Sequence, residues 1–128
     1  MKYLFTFLLI ITLAFLAAEN FDFTTINIDS LNAVATQAYH DGEYQKAADL
    51  YIQYMQYDIK NGSVCYNLAC CYGLLANDSL ATKYLRYAYD NGFTNIEHIK
   101  NDPDFEKVRE SEIFSKLIKK LDKGTKEP

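Results

Sequence analysis

The chain has 128 residues, with 13 Lys and Arg against 17 Asp and Glu and a formal net charge of −4. That length bounds it to one domain. The acidic balance argues against a nucleic-acid partner, because phosphate recognition needs clustered Lys and Arg.

Residues 1–18 read as a secretory signal peptide. Met1-Lys2 is a short basic start, Tyr3 to Ala18 is almost unbroken apolar sequence, and Leu16-Ala17-Ala18 precedes the polar Glu19-Asn20. The apolar run falls short of the ~20 residues that cross a bilayer as a helix, so export to a periplasmic or secreted location is the expectation. An uncleaved leader is the one route by which a membrane would be involved. Residues 19–29, "ENFDFTTINID", alternate Phe21, Phe23, Ile26 and Ile28 with polar neighbours, which predicts an extended segment lying over the first helix.

From there the chain repeats itself. At an offset of 34 residues Leu31 falls on Cys65, Val34 on Leu68, Ala35 on Ala69, Ala38 on Tyr72, Ala47 on Ala81 and Tyr51 on Leu85. Recurrence of small and large apolar residues at one period marks stacked helical units. The first unit, residues 30–61, predicts a helix from about Ser30 to His40 with Asp29 or Ser30 as its cap. A turn at Asp41-Gly42 leads to a second helix from about Tyr44 to Ile59, with Ala47, Ala48, Tyr51 and Met55 on one face. The second unit, residues 62–92, predicts helices from about Ser63 to Leu75, capped by Ser63, and from about Asp78 to Asn91, stopped by Gly92.

Residues 93–122 read as capping helices. In Asp102-Pro103-Asp104-Phe105, Asp102 caps, Pro103 supplies a preset φ, and Phe105 and Val108 turn inward. Ser111 then begins a last helix with Ile113, Phe114, Leu117, Ile118 and Leu121 apolar. A disordered tail is expected over residues 123–128. Asn61 and Asn77 both stand in glycosylation acceptor patterns, which matter only in a eukaryotic secretory pathway.

Cys65, Cys70 and Cys71 lie on one predicted helix, where residues five apart point about 140° away from each other and adjacent ones about 100°. Neither pair closes a bond of normal geometry. Small apolar residues packed between helices is the favoured reading, and one exposed thiol would leave an intermolecular bond open. Neither His40 nor His98 completes a zinc spacing. No metal and no cofactor is expected. There is no nucleophile with a nearby base and no glycine-rich phosphate loop, so no enzyme is expected.

The two segments "LNAVATQAYHDGEYQKAADLYIQYMQYD" and "CYNLACCYGLLANDSLATKYLRYAYDNG" resemble the tetratricopeptide repeat, a helix–turn–helix unit of that period. "NDPDFEKVRESEIFSKL" resembles the short helices that close such arrays. Departures are Ala35 and Ala38 where glycine and tyrosine are common, Ile59 in place of a terminal proline, and Ala76 in place of a turn glycine. The resemblance implies an all-α solenoid with carboxy-terminal capping helices. It also implies a concave groove, lined by the first helix of each unit, that holds a peptide. Carried over position by position, that groove is Asn32, Thr36, Tyr39 and His40 from the first unit and Tyr66, Asn67, Cys70 and Leu74 from the second. Asn67 matches one asparagine of the clamp that chaperone-binding members close on a terminal carboxylate. Asn32 and Thr36 hold the other matching positions without the cations that clamp needs, so it is not expected here.

A non-enzymatic module binding a peptide or protein in this groove is the expected function. The alternative is a structural subunit of a cell-envelope complex that self-associates, a homo-oligomer built on Tyr54, Tyr57, Tyr87 and the Phe21/Phe23 tail. Tyr44, Tyr51, Tyr72, Tyr84 and Tyr89 fall at core spacing.

Overall fold

The computed structural model describes residues 27–124. Six α-helices and one 3₁₀ turn, with no strand among the described residues, pack as a helical repeat. They are α1 (Ile28–His40), α2 (Tyr44–Met55), α3 (Gly62–Leu74), α4 (Asp78–Asp90), α5 (Ile96–Asn101), the turn Pro103–Phe105, and α6 (Glu112–Gly124). The expected leader, residues 19–26 and residues 125–128 lie outside the described residues. None of the described helices is long and apolar enough to cross a membrane.

Each unit is an antiparallel pair, α1 with α2 and α3 with α4, and α2 packs on α3 to stack the two. The small residues that recur at the repeat period sit fully buried: Ala35 and Ala69, Ala47 and Ala81. Helices α1, α3 and α4 end in one motif. The N–H groups of Glu43, Asn77 and Phe93 bond five residues back to the carbonyls of Ala38, Tyr72 and Ala88, around a left-handed residue. That residue is Gly42 (φ 78°), Ala76 (φ 57°) and Gly92 (φ 98°). Ala76 therefore adopts the conformation that glycine holds at the equivalent turn, against its own Cβ.

The second and fourth helices start at Tyr44 and Asp78 as predicted, and the first and third are capped differently. Asn27 caps α1, accepting from Asp29 N (3.1 Å) and Ser30 N (3.2 Å), and Asn61 caps α3 by accepting from Val64 N. The predicted extended segment therefore gives way to helix at Ile28. Asparagine and serine cap equally well, and the chain uses the asparagine upstream of each serine. Helix α2 ends at Met55, four residues earlier than expected. Helix α6 runs to Gly124, two residues into the expected tail.

The cap follows its motif. Asp102 accepts from Asp104 N (3.0 Å), Phe105 is buried against Gly73 of α3 and Phe114 of α6, and Val108 is buried as well. Phe114, Leu117 and Leu121 are buried, Ile118 is partly so, and Ile113 faces solvent at 45% exposure. Two glycines have a role the sequence did not show. A Cβ on Gly73 would meet Asp104 O at 2.5 Å and Phe105 Cδ1 at 2.8 Å, and one on Gly62 would meet Asn91 O at 2.5 Å. Both positions let backbone lie directly on α3. All three cysteines are free and buried.

Candidate functional site

Helices α1 and α3 present one face to the loop that carries Asp102 and Asp104, and the three enclose a cavity of about 180 Å³. Its walls are Thr36, Tyr39 and His40 from the first unit, Tyr66, Asn67 and Cys70 from the second, Tyr51 from α2, and the two aspartates of the cap. Six of the eight groove positions carried over from the repeat pattern thus meet in one place. Asn32 and Leu74 do not line it. Asn32 Oδ1 is buried without a hydrogen-bond partner, and the Leu74 carbonyl takes the Lys107 ammonium at 2.9 Å, a cation at the end of α3.

The hydroxyl of Tyr51 ties both units together. It lies 3.1 Å from Thr36 Oγ1 and accepts from Asn67 Nδ2 at 3.4 Å. Thr36 Oγ1 also donates to the Asn32 carbonyl at 2.9 Å. At the far wall, Tyr39 donates to Asp104 Oδ2 and Tyr66 donates to Asp102 Oδ2. Arg109 holds the Asp102 backbone by donating to its carbonyl at 2.6 Å, and His98 Nε2 stands 3.6 Å from Asp102 Oδ2.

Tyr66 is more a wall than a contact surface. It is 5% exposed, and its ring stacks on Phe93 at 3.8 Å and meets Phe105 edge-on at 5.9 Å. Cys70 is 4% exposed. Burial, followed by the charges of Asp102 and Asp104, pushes its thiol well above the ordinary range. Burial first pushes the hydroxyls of Tyr39 and Tyr66 upward as well, followed by the bond to Asp104 at Tyr39 and by Cys70 and then Asp102 at Tyr66. These groups stay protonated at neutral pH, so the walls offer carboxylates and neutral dipoles.

Sequence reasoning misses Tyr51, Asp102 and Asp104 as members of this site. Helical spacing puts Tyr51 in the core, where it does lie at 1% exposure, with its hydroxyl reaching the cavity. Asp102 reads as a helix cap, and Asp104 stands in the same motif with no role assigned to it. The motif's second aspartate is the available signal, since one aspartate suffices to cap. Tyr54, expected among the exposed tyrosines, is buried and accepts from Asn61 Nδ2 at 3.1 Å, whereas Tyr57 and Tyr87 are exposed.

A broader open depression of about 450 Å³ flanks α5, lined by Asn95, Glu97, His98, Asn101, Asp102 and Pro103. It belongs to the cap alone, whereas the smaller cavity is lined by residues of both units and of the cap.

No protein-family model matches the chain. The chain is similar to a chloroplastic protein of Arabidopsis thaliana, at 36% identity over 59 residues. The matched segment covers 46% of this chain and 18% of that protein.

Proposed function

We propose that the chain is an exported tetratricopeptide-type module of two repeats and a cap, which binds an extended peptide or a protein surface between α1 and α3 without catalysis. The observation that carries this reading is the convergence of both units and the cap on one polar cavity. Thr36, His40 and Asn67 offer donors and acceptors at its rim, which suits main-chain recognition. The 34-residue period, the shared helix-end motif and the Asp102-Pro103-Asp104-Phe105 cap support the repeat assignment.

Affinity capture from native extract tests it, with the His40→Ala/Asn67→Ala double variant as control. His40 is exposed and Asn67 half-buried, so the variant keeps the fold. A partner held by the wild type and lost by a variant of unchanged melting temperature supports the groove. A partner held equally by both overturns it. The self-associating alternative draws on Tyr57 and Ile59, which are 51% and 60% exposed on the connection between the units. Sedimentation of Tyr57→Ser/Ile59→Ser against wild type decides that reading, and an unchanged mass removes it.

A further inference from the structure

The cavity has a charge that its own fold leaves without a counterpart. Asp102 has His98 at 3.6 Å and the Arg109 guanidinium on its backbone carbonyl. Asp104 is part-buried, and no ion pair among the described residues includes it. Of the nine lining residues only His40 can carry a positive charge. A carboxylate drawn partly out of water without a cation is costly to hold, and it favours whatever cation can reach it. The hydroxyls of Tyr39 and Tyr66 already occupy one oxygen of each aspartate and hold the loop in place. The space is about 180 Å³, roughly six water volumes. Among the lining tyrosines Tyr39 is the partly exposed one, and its ring adds aromatic surface on which a cation settles.

We propose that this cavity takes the cationic head of a lysine or arginine side chain carried by the bound peptide, with Asp104 as its counter-charge. The inference rests on the groove reading above and names the feature of the partner that the groove selects. The donor atoms of Cys70, Asp102 and Asp104 lie within 4.8 Å of one another, a spacing a divalent ion could also use. The basic side chain is favoured because Cys70 is a protonated thiol there and the remaining walls are hydroxyl, amide and ring.

The test needs no identified partner. The full chain, labelled with ¹⁵N, is titrated with n-butylammonium chloride and n-butylguanidinium chloride, with 1-butanol and sodium chloride as controls. Saturable shifts at the amides of Thr36, Tyr39, Asn67 and Asp104 are expected from at least one cation and from neither control. Affinity should fall about tenfold or more in Asp104→Asn, which keeps the shape and can still accept from Tyr39. Asn67→Lys, which brings a cation to the rim, should abolish the shifts by filling the site and covers the case in which Asp104→Asn fails to fold. The proposal is overturned by shifts that persist in either folded variant, by equal shifts from 1-butanol, or by no saturable shift at the cavity. Zinc chloride binding there and blocking both organic cations also overturns it, in favour of a metal site. A negative titration beside successful groove-dependent capture removes this inference alone; loss of the groove reading is read from the capture experiment.

Discussion

The two repeat units share a register and differ in what surrounds them. Val34 and Leu68 occupy the same place in their units, yet Val34 is 48% exposed and Leu68 is fully buried. Helix α3 has ten buried residues where α1 has two, because α2, α4 and the cap enclose α3 while α1 lies at one end of the described stack. Its sequence, GSVCYNLACCYGL, is apolar on nearly every side, as a helix enclosed on all sides requires. The pair Tyr39 and Gly73 is more instructive. Both stand at the same register position and both meet Asp104, one by a long side chain from the first unit and the other by having none. A repeat thus sets where a residue sits, and its neighbours decide whether that place is core, wall or rim.

The sharpest way to break this comparison is to truncate the matched pair. Leu68→Ala should cost about 3 kcal/mol, the range of a fully buried leucine, while Val34→Ala should stay within about 0.5 kcal/mol. Chemical denaturation of both variants checks it, and similar losses would mean that α1 is covered by something else. Next comes Gly73→Ala, where the Asp104 backbone must retreat. A loss of about 1–3 kcal/mol is expected, with weaker protection of the Phe105 and Val108 amides from hydrogen exchange.

Alkali should act through the buried hydroxyls and thiols. Burial raises the folded values of Tyr66 and Cys70 and pushes Cys71 up to about 12. The unfolded chain releases these protons from about pH 8.5 for thiols and about pH 10 for tyrosines, whereas the folded chain keeps them. Stability is therefore fully present below about pH 8.5 and declines as pH rises toward the folded values. Melting temperatures between about pH 8 and pH 11 follow this, and tyrosinate absorbance of Tyr66 should appear only with unfolding. The smallest effect is at the turns. Ala76→Gly should stabilise by up to about 1 kcal/mol by relieving a left-handed alanine, and Gly42→Ala should destabilise by about 1 kcal/mol. Equal and opposite shifts in denaturation midpoint would show that the two turns are equivalent in energy as well as in geometry.

Much of this architecture is legible in the residues. The offset that sets Ala47 on Ala81 locates the close-packed faces, and Asp102-Pro103 locates the cap, because those signals are local. Helix starts are ambiguous wherever an asparagine precedes a serine by a few residues, as at Asn61 and Ser63. The site is legible only in part: Thr36, Tyr39, His40, Tyr66, Asn67 and Cys70 come over from the repeat resemblance, whereas Asp104 reaches the cavity through a contact 65 residues away in sequence. Such a partner depends on how the cap docks, which in turn depends on Gly73 having no side chain. The period carries no sign of that.

The two tyrosine–aspartate bonds have a consequence for how the molecule comes apart. A linear stack transmits stability only between neighbours, so its ends fray independently. Here the turn that opens the cap binds Tyr66 of the second unit through Asp102 and Tyr39 of the first through Asp104. The stack is thereby closed into a ring of mutual contacts, and loosening either end releases the other. Such a molecule should melt as one cooperative unit, and occupying the cavity should stiffen parts of the chain that the ligand never touches.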